Sequence, residues 1–207
     1  YFHTHDGELF MVATDSYRLA EKKLMKMTEE VSLLVPASAM QDLLRIVADY
    51  DDKVEVTHDD QQILFQVGDV ELVARLIEGK YPDYRKLIPS EFATTATLSR
   101  AEFVNITKVS SLFARESAGS ITIHLDDTKS EVSIRSVASQ LGENTASAIA
   151  KVTGEGDITI NSRYLLDALH VMSGDEVIFS FNGKLEPVLI QEAKGSDYSH
   201  VVMPLKS

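Results

Sequence analysis

The 207-residue sequence contains no cysteine, which removes disulfide staples and thiolate metal sites and suits a reducing compartment. Long apolar runs are also missing. None approaches the roughly 18 residues a membrane-spanning helix needs, and no basic flank precedes an apolar signal core. The expected location is therefore cytoplasmic, with no membrane contact. Positive charge is scarce: 20 Lys and Arg stand against 32 Asp and Glu, a formal net charge of −12. Tight phosphate contact needs clustered Lys and Arg, so a conventional nucleic-acid binder is disfavoured; only loose contact through a locally basic face stays open. Nucleophile elbow, Walker loop and paired zinc motif are all absent.

What is present is a repeat. Pro36, Ser99 and Asn161, spaced 63 and 62 residues apart, each follow a short apolar strand and open a helix. Helical stripes run through Met40, Leu43, Leu44 and Val47, then Phe103, Ile106, Val109 and Phe113, then Leu165, Ala168, Leu169 and Met172. Three strand-like runs follow each helix: 53–57, 63–67 and 70–77; 121–125, 132–135 and 145–152; 177–181, 188–191 and 201–203. A fixed period of this kind implies stacked copies of one module sharing a core. Residues 1–4, 8–13 and 17–23 read as a meander, the closing strands of a further copy whose helix is missing. Tyr1 falls inside a strand, so a piece of a longer chain is expected. Glu102 suits a capping box with Ser99, Gly174 a left-handed helix end, and Asn182-Gly183 a two-residue hairpin turn. The segment 76–92, broken by Gly79, Pro82 and Pro89, reads as a connector.

Chemistry-bearing residues are scattered. His3 and His5, two apart on a strand beside Asp6, could form a weak metal pair, but a solvated strand end is the expected reading. His170, at helical spacing from Asp167, reads as an ordinary helix histidine. Gly154-Glu-Gly156 precedes a strand and not a phosphate-binding helix, so it is a turn. The acidic groups Asp49, Asp51 and Asp52, and Asp126 with Asp127, read as solvated loop charge. Two runs remain: residues 12–19, where an Asp15-Ser16 turn gathers Thr14, Tyr17, Arg18 and Leu19, and the apolar ending 200–207, whose Met203 suits an adaptable groove.

Three segments, ATDSYRLA (13–20), LIEGKYPDYRKLIP (76–89) and VVMP (201–204), occur in order and resemble the bacterial DNA polymerase III beta subunit, the replication sliding clamp. The resemblance covers essentially the whole sequence, as the C-terminal part of a longer family chain. It implies an α+β DNA-clamp fold of repeated helix-plus-antiparallel-strand units, helices on an inner face and sheets outside, in a homodimeric ring around double-stranded DNA. Residues 1–91 would be an incomplete middle domain and 92–207 a complete C-terminal domain. It further implies a non-enzymatic processivity factor without cofactor, whose interdomain groove takes short hydrophobic motifs from polymerase, clamp loader and repair proteins. Matching groove positions are Val12, Thr14, Tyr17, Arg18, Leu19 and Pro89, with Val201, Val202, Met203, Pro204 and Leu205. Arg45, Arg100, Lys108 and Arg163 would face DNA, and Leu112 with Phe113 would meet the second subunit. Ser16-Tyr17 stands where many relatives have glycine and histidine, implying a narrower rim. Neutral Ala37 and Ser38 replace basic residues, implying weak DNA contact there.

Overall fold

The computed structural model describes residues 1–50, 53–138, 142–195 and 197–206; Asp51 and Asp52 of the first acidic cluster lie outside them. Two compact units emerge, one of Tyr1–Val12 and Lys23–Pro82, the other of Ala13–Lys22 and Asp83–Ser207. This differs from a simple division at residue 91, because the segment around the Asp15 turn joins the second unit.

The first unit contains β1 (Phe2–His5), much of β2 (Glu8–Thr14), the end of β3 (Arg18–Lys26), β4 (Ser32–Leu33), α1 (Ala37–Val47) and the meander β5 (Glu55–His58), β6 (Gln62–Val67) and β7 (Val70–Arg75). Strand β1 pairs antiparallel with β2 and β4, and β6 with β5 and β7. Alternation in β6 buries Ile63, Phe65 and Val67 against Ala39 and Leu43 of α1. The buried face of α1 is set by Ala39 and Leu43, so Leu44 turns out to solvent at 70% exposure, off the expected stripe.

The second unit repeats that plan twice. Strand β8 (Thr94–Ser99) leads into α2 (Arg100–Phe113), then β9 (Ser120–Asp126), β10 (Glu131–Ala138) and β11 (Gly142–Thr153). Strand β12 (Gly156–Asn161) leads into α3 (Ser162–Val171), then β13 (Glu176–Phe181), β14 (Val188–Glu192) and β15 (Tyr198–Val202). Its strands are ordered β12-β9-β10-β11-β8-β13-β14-β15-β3, antiparallel throughout. Ser99 accepts the Glu102 amide at 3.4 Å and Asn161 accepts the Arg163 amide at 2.8 Å, so both expected caps form. Phe103, Phe179 and Phe181 meet edge to face at the centre of the core, with centroids 5.6 and 6.0 Å apart. All four stripe residues of α3 are buried. In α2 the inward face is Phe103, Ile106, Thr107 and Ser110, while Val109 is exposed; Thr107 fits there because its hydroxyl donates to the Phe103 carbonyl at 2.7 Å.

Two expected turns differ. The Asn182-Gly183 tight hairpin is replaced by a six-residue loop, 182–187. Neither residue takes the positive φ that such a turn requires. Asn182 instead accepts the Ala93 amide at 2.7 Å and donates to the Glu91 carbonyl at 2.9 Å. Helix α3 ends without a left-handed residue at Gly174. The Arg100 guanidinium donates to the Leu169 and Gly174 carbonyls, and the Glu192 carboxylate accepts the Ser173 and Gly174 amides. These groups take over the capping that a glycine conformation would supply. Gly154 is a true turn glycine: at φ 76°, an added Cβ would collide with the Ala93 carbonyl oxygen.

Candidate functional site

The turn before β3 is built by Asp15, whose Oδ1 accepts the amides of Tyr17 and Arg18 at 3.1 and 3.0 Å. Thr14 Oγ1 donates to the Arg18 carbonyl at 2.7 Å and accepts the Ser16 amide at 3.2 Å. These bonds hold Ser16 at a φ of 73°, a position where glycine is the residue without steric penalty. Beyond the turn, β3 pairs with β15 so that Arg18 lies opposite Val202, Leu19 opposite Val201, and Ala20 opposite His200. Because side chains alternate, Leu19 and Val201 share one face of the sheet; Arg18, Val202 and His200 share the other.

The Leu19 face carries a cavity of about 170 Å³. It is lined by Leu19, Val201 and Met203 from β3, β15 and the tail, by Tyr84, Leu87 and Ile88 from the connector, and by Pro187. Thr14, Ser16 and Arg18 border it, yet Thr14 is already satisfied within the turn. The Met203 amide donates to the Tyr17 carbonyl at 2.8 Å, which fixes the tail beside the turn. Tyr84 is anchored by its hydroxyl, which donates to Glu21, and Arg85 Nη2 donates to the same carboxylate at 3.0 Å. Burial and the Glu21 carboxylate push the Tyr84 phenol well above its usual pKa, so it remains a neutral part of the lining. Leu87 is 60% exposed and Met203 40%, leaving apolar surface open at the cavity mouth.

On the opposite face the Arg18 guanidinium donates to Asp15 at 3.0 Å and to Asp167 of α3 at 2.6 Å, and it lies 4.4 Å from the Tyr164 ring centroid. Its charged head serves the helix side of the sheet. His200 is buried beside it, with Nδ1 2.7 Å from the Tyr198 hydroxyl and Nε2 without a hydrogen-bond partner.

The cavity therefore gathers Thr14, Arg18, Leu19, Val201 and Met203. Tyr17 lies next to it, exposed, and Pro89 and Pro204 are half-buried outside its lining. Val202 points into the core, and Leu205 lines a different, polar trough with His124 and Asp157 while its amide donates to the Thr159 carbonyl at 2.8 Å. Val12 is buried in the first unit, its amide bonded to the Tyr1 carbonyl at 2.8 Å. Ser16, expected at the rim, lines the cavity, and Tyr84, Leu87, Ile88 and Pro187 are lining residues beyond the expected groove positions. Three of them sit within the 76–89 motif, which was the available signal; Pro187 offered none.

Among the basic candidates, Arg45 is exposed and paired with Asp42 at 2.8 Å, and Lys108 and Arg163 are exposed on α2 and α3. Arg100 is committed to capping α3. Leu112 is exposed and Phe113 half-buried at the end of α2. His3 is buried in a stack between Tyr1 and Phe10, with centroids 4.8 and 5.6 Å away, while His5 lies 3.3 Å from Asp6. Among the described residues, no helix is long and apolar enough to cross a membrane.

Residues 1–83 match the DNA polymerase III beta subunit central domain, and residues 85–206 its C-terminal domain. Beta sliding clamps of Staphylococcus epidermidis and Staphylococcus aureus are each 30% identical over 206 residues, covering 98% of this chain and 54% of theirs. A DNA polymerase sliding clamp from Bacillus subtilis is similar over 100% of this chain and 56% of its own, with a TM-score of 0.92 at 27% identity. The DNA polymerase III beta subunit of Thermotoga maritima, at 24% identity and a TM-score of 0.90 over 100% of this chain and 56% of its own, shares the fold. The chain spans about half the length of the curated relatives it matches. With both domain descriptions matched in order along it, the chain belongs to the DNA polymerase III beta subunit family.

Proposed function

We propose that this chain is the partner-binding portion of a replication sliding clamp, and that the cavity between Leu19, Tyr84, Leu87 and Met203 receives a short hydrophobic motif from polymerase, clamp loader or repair proteins. The observation that carries this reading is an apolar cavity, open at Leu87 and Met203, whose bordering Thr14 is satisfied within its own turn. Such a site rewards burial of Leu or Phe; one fully buried anchor contributes about 1.5–3 kcal/mol. No chemical step is required of it. The chain tethers, raising the local concentration of its partners at DNA.

In the whole protein, Lys108, Arg163 and Arg45 would face encircled DNA, and Leu112 with Phe113 would contact a second subunit. Encirclement needs no tight phosphate grip, which is compatible with a net charge of −12. The test is fluorescence polarisation of a labelled Gln-Leu-x-Leu-Phe peptide against the chain and its Met203→Ala variant. Saturable binding that weakens in the variant is expected; absence of binding by folded protein would refute the groove.

A further inference from the structure

We infer that Asp167, on α3, is a positioning residue for the groove: it holds Arg18, and through Arg18 the turn whose Tyr17 carbonyl pins Met203. The proposal rests on the groove reading above. Asp167 does not line the cavity, so its effect on a bound peptide must be transmitted. The chain of contacts is short. Asp167 Oδ2 accepts Arg18 Nη1 at 2.6 Å, while Arg18 Nε donates to Asp15 at 3.0 Å over the Tyr164 ring. The other oxygen of Asp15 holds the amides of Tyr17 and Arg18, and the Tyr17 carbonyl accepts the Met203 amide at 2.8 Å.

A guanidinium fixed by two carboxylates and a ring cannot rotate without breaking charge-assisted bonds. With Asp167 removed, Arg18 keeps Asp15, within its own turn, and the stacking contact with the Tyr164 ring. The turn then loses its hydrogen-bonded tie to the helix layer. Ser16 makes this matter, because a non-glycine residue at positive φ is held there only by its surroundings.

The test measures binding of the labelled Gln-Leu-x-Leu-Phe peptide to the wild type, Asp167→Ala, Arg18→Gln and the double variant, with thermal melting to verify folding. Asp167→Asn replaces Asp167→Ala should the latter not fold. Expected is an affinity about tenfold weaker for Asp167→Ala, the effect of one charge-assisted hydrogen bond, and a double variant no weaker than Arg18→Gln. Wild-type affinity in Asp167→Ala, or losses that multiply in the double variant, would overturn the proposal. The second readout is hydrogen exchange of the Met203 amide without peptide. Faster exchange in Asp167→Ala supports positioning and an unchanged rate refutes it, even in the case where no form binds peptide and the groove reading itself falls.

Discussion

His200 makes the stability of the second unit depend on pH in a defined direction. Its ring is buried, Nε2 has no hydrogen-bond partner, and Tyr198, Arg18, Asp167 and Asp15 are the polar groups around it. Burial first, then the Arg18 cation, depresses its pKa from 6.5 to about 4, against the pull of Asp167 and Asp15. Above pH 6.5 the imidazole is neutral in folded and unfolded chains, and its contribution is complete. As pH falls from 6.5 towards 4, the unfolded chain takes up a proton that the folded chain refuses, so stability is lost across that window. Each pH unit is worth about 1.36 kcal/mol, so the loss between pH 7 and pH 5 is about 2 kcal/mol. Urea unfolding followed by circular dichroism, on wild type and His200→Gln, measures it. Carboxylates and the other histidines titrate in both proteins and cancel in the comparison. The wild-type advantage over the variant should shrink by about 2 kcal/mol from pH 7 to pH 5. An advantage independent of pH would show that His200 titrates normally in the fold and would refute the reasoning.

Gly154→Ala should lower stability by about 1–3 kcal/mol, read as a fall in melting temperature, because it combines positive φ with a collision at Ala93. Arg100→Met should cost about 1–2 kcal/mol in urea unfolding by uncapping α3, since two carbonyls lose their donor. Truncating Phe179 to Ala, at the centre of the aromatic core, should cost about 3–5 kcal/mol in the same assay. Leu205→Ala should leave binding of the Gln-Leu-x-Leu-Phe peptide within about twofold of wild type, because Leu205 lines another trough; polarisation checks it.

The module was legible because period and caps are local signals: Ser99 and Asn161 cap the helices they were expected to cap, and three strands follow each helix. What failed locally failed through distant partners. Asn182 is taken by Ala93 and Glu91, and the end of α3 by Arg100 and Glu192, and neither pairing is visible in a window of neighbouring residues. The Leu19 part of the lining was readable from its motif and the tail. Arg18 could not be placed on the helix side until its register opposite Val202 was known, and Pro187 enters through a loop with no motif.

The groove proposed to take a partner's apolar side chain lies between Leu19, Tyr84, Leu87 and Met203. A Gln-Leu-x-Leu-Phe peptide with a photoreactive group at its last position, cross-linked to the chain and mapped by mass spectrometry, tests this most directly. Adducts concentrated on Leu87, Pro187 and Met203, and competed away by unlabelled peptide, are the predicted result. Competed adducts confined to another surface, such as the His124–Asp157 trough, would contradict it.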